Sequence, residues 1–159
     1  MNLPNLNYVI GNVNSPGQIN EKQMEAKDPT QVEVANTANS NKEEDKWSIV
    51  PAPKDGAVVS FRSEKFETSY LGVESSALST ANLQANATEF RLTVIGKDGS
   101  DDIYHIQPIG GSPDCAEKYL TMDDPKGGTQ ITLSPKMSND THKQKWKFKN
   151  APTGDAGAN

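Results

Sequence analysis

Thr129-Gln130-Ile131-Thr132-Leu133 is followed by Gln144-Lys145-Trp146-Lys147-Phe148, the Trp standing thirteen residues after Leu133. Near the other end of the chain, Thr30-Gln31-Val32-Glu33-Val34 is followed by Asp45-Lys46-Trp47-Ser48-Ile49, with the same thirteen residues from Val34 to Trp47. A short strand, a polar loop of fixed length and a second strand opened by Trp are therefore written twice. A period of this kind marks a repeat architecture, in which no unit can bury its apolar face alone.

The middle third carries a worn copy. Ser76-Ala77-Leu78-Ser79 stands for the first strand, and Glu89-Phe90-Arg91-Leu92-Thr93-Val94 puts Phe90 where the other units have Trp. Each unit also opens on an alternating apolar strand: Tyr8-Val9-Ile10, Val58-Val59-Ser60-Phe61 and Ile103-Tyr104-His105-Ile106. Alternate side chains of such a strand point to opposite faces of a sheet. A second strand follows around Met24, over Tyr70-Leu71-Gly72-Val73, and over Tyr119-Leu120-Thr121-Met122. In the first unit, Asn20 and Gln23 could instead cap a helical turn, but the repeat requires a strand there.

Three units of four strands predict an all-β fold, a β-trefoil with three four-stranded repeats around a pseudo-threefold axis. The repeats run over about 8–53, 54–97 and 98–150, after a lead-in at 1–7 and before a flexible tail at 151–159. Trp47, Phe90 and Trp146 are the expected inward anchors. Val50 to Gly56 reads as a linker stiffened by two prolines, and Gly96 to Asp102 as an exposed one. Closing a barrel would remove most free sheet edges.

At 159 residues with an apolar share of 33%, the chain suits one domain with long polar loops. Its net charge of −5, with no basic cluster in the sequence, excludes nucleic acid as an expected partner. The single Cys115 can form no internal disulfide. Residues 1 to 20 hold neither a charged side chain nor an unbroken apolar run, so no signal peptide and no membrane insertion are expected. The expected location is the cytoplasm, with release on tissue damage. Asn86-Ala87-Thr88 and Asn139-Asp140-Thr141 are glycosylation sequons, read here as ordinary polar loop residues.

Chemistry for catalysis is sparse. His105 and His142 are the only histidines, with no second ligand at a spacing that suits zinc, and no local signature pairs either with Cys115. No Gly-rich loop cradles phosphate. The expectation is no enzyme, no metal and no cofactor.

Gln144-Lys145-Trp146 is a Q-x-W motif, and Asp45-Lys46-Trp47 is its degenerate sibling. In these residues, and in the third unit from Gly127 to Phe148, the chain resembles ricin-B-type trefoil lectins, in particular small fungal lectins of the Sclerotinia agglutinin type. The resemblance covers residues 8 to 150 in pattern. It implies a non-enzymatic protein binding galactose-type or N-acetylgalactosamine-type glycans, with glycans or glycoproteins as partners and a homodimer left open.

The resemblance also implies a shallow site in each unit, between the second-to-third-strand hairpin and the loop before the Trp strand. The matching loop residues are Asn36, Asn39 and Asp45 in unit one, Asn86 in unit two, and Asn139, Asp140 and Gln144 in unit three. The hairpins add Asn20 and Lys22 in unit one, and Asp123 with Asp124 in unit three. Unit one lacks an aromatic between Tyr8 and Trp47, whereas units two and three offer Phe66, Tyr70 and Tyr119, which fit a stacking role and a place in the core equally well.

A second function fits the same fold. Pro51-Ala52-Pro53-Lys54-Asp55 joins units one and two, where trefoil protease inhibitors of the trypsin-directed type carry their inhibitory loop, and Lys54 would be the specificity residue. Such a loop works by being rigid before it binds.

Overall fold

A computed structural model describes residues 7–13, 23–28, 31–34, 43–73, 80–109, 118–124, 126–137 and 142–150. They form β1 (Asn7–Asn12), β2 (Met24–Asp28), β3 (Gln31–Val34), β4 (Lys46–Pro51), β5 (Val58–Ser63), β6 (Tyr70–Val73), β7 (Ala81–Gln84), β8 (Glu89–Asp98), β9 (Asp101–Ile109), β10 (Lys118–Thr121), β11 (Thr132–Pro135) and β12 (Trp146–Asn150). A 3-10 turn, Glu43–Asp45, leads into β4.

Six strands close a barrel through antiparallel ladders in the order β1, β4, β5, β8, β9, β12 and back to β1. The remaining strands pair as three hairpins, β2–β3, β6–β7 and β10–β11. The hairpins meet through backbone bonds: Val34 N–H donates to Thr129 O, Ile131 N–H to Val32 O and Ala81 N–H to Ile131 O. This is the β-trefoil read from the repeats.

The ladder registers carry the threefold symmetry. Trp47 lies opposite Tyr8 of β1 and Ser63 of β5, Phe90 opposite Val59 of β5 and Pro108 of β9, and Trp146 opposite Tyr104 of β9 and Asn12 of β1. In each case the anchor faces its own unit's first strand and, four residues further on, another unit's first strand. Phe90 therefore occupies a Trp position, and all three anchors are fully buried.

Inward residues of the barrel strands fill the centre with tilted and edge-on rings. Phe61 meets Phe90 at 5.5 Å and Phe148 at 6.0 Å, and Tyr104 meets Phe148 at 5.0 Å between ring centroids. Burial pushes the Tyr8 and Tyr104 phenols up from their ordinary values. Under the hairpins the core continues through Met24, Val34, Leu71, Leu83, Leu120 and Leu133.

Two sequence expectations are corrected. The third strand of unit two is Ala81–Gln84, not 76–79, which lies outside the described residues. Ala81 and Leu83 point inward and Asn82 and Gln84 outward, a two-residue alternation that gives the hairpin an apolar face. Gly96 to Asp102 is largely exposed, as expected, but it is paired rather than a free linker. It is the end of one long hairpin, with Gly96 opposite Ile103, Lys97 opposite Asp102 and Asp98 opposite Asp101. Gly99 has φ of 66°, the left-handed geometry that a two-residue hairpin turn needs. The stretch around Met24 is a strand, as the repeat requires.

Candidate functional site

Each hairpin presents equivalent positions. Met24 pairs with Val34, Leu71 with Leu83 and Leu120 with Leu133, all buried. One step along, the pairs are Glu25 with Glu33, Gly72 with Asn82, and Thr121 with Thr132. In unit three this pair lies against the loop before the anchor strand, through Gln144 Nε2 donating to Thr121 Oγ1, and in unit one β2 packs on the 3-10 turn that leads into β4.

In unit three this loop is fastened from several sides. The Gln144 side chain, 2% exposed, accepts from Met137 N–H at 2.9 Å and donates to Pro135 O at 2.9 Å, Thr121 Oγ1 at 3.1 Å and Ser134 O at 3.3 Å. Asn12 Nδ2 donates to Lys143 O and Lys145 O, and Met122 N–H to Lys143 O. Trp146 Nε1–H donates to Leu120 O at 2.8 Å. The Gln of the Q-x-W motif is thus turned inward. With both ends of its amide engaged it holds the loop, and the sugar contact expected of it is corrected to a positioning role.

Asp123 leaves the hairpin exposed, and its Oδ2 accepts from Thr132 Oγ1 at 2.8 Å. That hydroxyl fixes one carboxylate oxygen. Asp124 Oδ1 accepts from Lys126 N–H at 2.9 Å and shapes the following turn, where Gly128 takes φ of 88°. Nothing in the sequence alone gives Thr132 a role, although its alternation with Leu133 places it on the outer face.

Unit one uses the frame differently. Trp47 Nε1–H donates to Met24 O at 3.4 Å, the counterpart of the Trp146 bond. Asp45, two places before Trp47, is fully buried in the 3-10 turn that packs on β2, so its carboxylate faces the interior rather than a ligand. This corrects its assignment as a sugar contact. Lys27 takes the place that Asp123 has in unit three. Asn20, Lys22, Asn36, Asn39, Asn139 and Asp140 lie outside the described residues.

Unit two is closed at this place. Gln84 Nε2 donates to Val73 O at 2.9 Å, and its side chain lies so close over Gly72 that a Cβ there would meet Gln84 Cδ at 2.6 Å. Asn86 is exposed in the bend after β7. Phe66 packs against the core, and Tyr70 is half-buried opposite Gln84.

Lys54 is exposed on the β4–β5 connection. Asp55 shapes this connection by accepting from Ala57 N–H at 2.9 Å and pairing with Arg91 at 3.5 Å. A cavity of about 330 Å³ lies against it, lined by Pro53, Lys54, Val58, Glu89 and Ile109 among others. Among the described residues, no three His, Cys, Asp or Glu side chains gather to hold a metal ion.

No family model matches the chain, and no curated protein sequence matches it significantly. Solved structures do. The Rhizoctonia solani agglutinin is 19% identical, with a TM-score of 0.68 over 94% of this chain and 98% of its own. The Macrolepiota procera ricin B-like lectin, solved in complex with lactose, is 15% identical, with a TM-score of 0.72 over 94% and 99%. The designed threefold-symmetric protein ThreeFoil gives 0.61 at 15% identity over 89% and 96%. At these identities the likeness establishes the trefoil fold.

Proposed function

We propose that the protein is a non-enzymatic lectin that binds galactose-type or N-acetylgalactosamine-type glycans at the outer end of the unit-three hairpin. The observation that carries this reading is the exposed Asp123 carboxylate, fixed by the Thr132 hydroxyl beside a loop that Gln144 holds in place. A carboxylate accepts hydrogen bonds from neighbouring sugar hydroxyls, and a charged acceptor makes the stronger bond. Asn139 and Asp140, in the adjoining loop, are proposed to supply further polar contacts.

Support comes from the structural neighbours: two are fungal sugar-binding proteins by name, one of them bound to lactose. The Q-x-W motif adds the sequence resemblance to the Sclerotinia type. Glycans or glycoproteins are the proposed partners and the cytoplasm the proposed location. Among the described residues, unit three combines the loop fastened by Gln144 with an exposed acidic hairpin end at Asp123, so the site is proposed there.

A glycan array tests the reading, followed by titration of lactose and N-acetylgalactosamine. Asp123→Ala should weaken binding about 10- to 100-fold, the worth of a hydrogen bond to a charged group. A blank array would sink the lectin reading. Binding that survives both Asp123→Ala and Asp140→Ala would move the site to unit one.

A further inference from the structure

His105 and Tyr119 are fourteen residues apart in the chain, yet their rings pack edge to face at 4.9 Å and 62°. Both are partly exposed. His105 points outward from β9, between the inward Tyr104 and Ile106. Tyr119 lies opposite Ser134 in the β10–β11 hairpin.

The topology brings two cations to this pair. Trp146 pairs with Tyr104 in an antiparallel ladder, so one step back Lys145 comes beside His105. Alternation along β11 and just beyond it sets Thr132, Ser134 and Lys136 on one face, the face that carries Tyr119. Burial, then the charges of Lys136 and Lys145, hold the His105 imidazole below its ordinary pKa, which fits both ammonium groups being close. The ion pairs among the described residues join Arg62 to Glu64, Arg91 to Asp55, Lys97 to Asp102 and Lys147 to Asp98; none engages Lys136 or Lys145. In a chain of net charge −5, this is a local concentration of positive charge around an aromatic pair.

We propose that Tyr119, His105, Lys136 and Lys145 form a second recognition site on unit three that takes an anionic saccharide. The apolar side of the sugar ring lies against the Tyr119–His105 pair, and its carboxylate or sulfate sits between the two ammonium groups. Asp123 lies four positions after Tyr119, beyond the end of β10, roughly 13 Å at the rise of an extended chain, and the Gln144 amide bonds to Thr121 between them. The site is therefore distinct from the Asp123 end of the hairpin. It rests on the glycan reading for the class of ligand. Its own content is the preference for charge.

The test is titration of the whole protein with lactose, 3′-sialyllactose and 3′-sulfolactose, and with sodium sulfate alone, at low and at physiological salt. Both charged sugars should bind more tightly than lactose at low salt. Lys136→Gln and Lys145→Gln should each remove about two- to five-fold of that advantage, as exposed ion pairs do, and leave lactose binding unchanged. Tyr119→Leu should weaken the charged sugars while Asp123→Ala spares their advantage. Thermal unfolding of each variant checks that the fold is intact. Equal affinity for charged and neutral sugars overturns this site and leaves the glycan reading standing. Sulfate competing as well as sulfolactose would overturn the saccharide part, and binding of none of the sugars overturns both readings.

Discussion

In unit three, the residue two places before the Trp anchor is Gln144, whose amide ties together Thr121, Ser134, Pro135 and Met137. In unit one, the same place holds Asp45, and the place of Thr121 holds Glu25, both buried. The anchors themselves behave alike: Trp47 and Trp146 are fully buried and each donates to the equivalent backbone oxygen of its hairpin. The difference is chemical. A carboxyl group has no NH2 group, so Asp45 cannot donate to several backbone carbonyls at once as the Gln144 amide does. The frame of a trefoil unit is therefore kept by its aromatic anchor, whereas the surface it offers depends on the polar residue beside that anchor.

The largest effect should come from the anchors. Trp47→Ala and Trp146→Ala should each cost about 3–5 kcal/mol, the usual loss for a large aromatic removed from a core. Replacement by Phe, which unit two already carries at Phe90, separates the two. Trp146→Phe gives up the 2.8 Å bond to Leu120 O and should cost about 1–3 kcal/mol beyond packing, while Trp47→Phe gives up the 3.4 Å bond and should cost less. Urea unfolding of the four variants measures this. Equal costs for the two Phe variants would show that the anchors' hydrogen bonds do not distinguish the units.

Gln144→Ala comes next and acts on the difference itself. It leaves Met137 N–H and the Ser134 and Pro135 carbonyls at the end of β11 without their partner, so a loss of about 1–3 kcal/mol is expected. Hydrogen exchange at the Met137 amide should speed up far more than exchange in β1 or β5. A uniform change across the barrel would mean that Gln144 supports the whole fold rather than its own loop.

The trefoil could be read from the sequence because Trp47 and Trp146 stand at the same distance from an alternating strand, and spacing survives even where identity does not. Unit two was harder. Ala81 and Leu83 offer only two apolar residues, one of them small, and Leu78 nearby gave a false centre for the strand. Gly96 to Asp102 has turn composition throughout, but its ladder depends on cross-strand pairing that composition does not encode. Gln144 was found as a motif, although its direction was misread: whether a polar side chain faces water or the interior is decided by the loop folded over it. The Tyr119–His105 pair left no trace in the sequence, since its members lie on different strands.

Unit two gives the finest comparison, because its hairpin has neither Glu25 nor Thr121 but Gly72, with Gln84 folded over it. In Gly72→Ala the new Cβ overlaps the far end of the Gln84 side chain, which must swing aside and give up Val73 O. That lost bond costs about 0.5–1.5 kcal/mol, while replacing Gly in a strand returns about 0.4–1 kcal/mol through the unfolded chain. The net change should be a destabilisation of under about 1 kcal/mol. In a Gln84→Ala background the overlap is gone, so Gly72→Ala should become neutral or stabilising, and the double-mutant cycle reads the coupling directly. Additive effects would mean that Gln84 does not close this face. Coupling would establish that unit two lost its opening through one glutamine packed on one glycine, within the same strand register that leaves the hairpin of unit three open at Asp123.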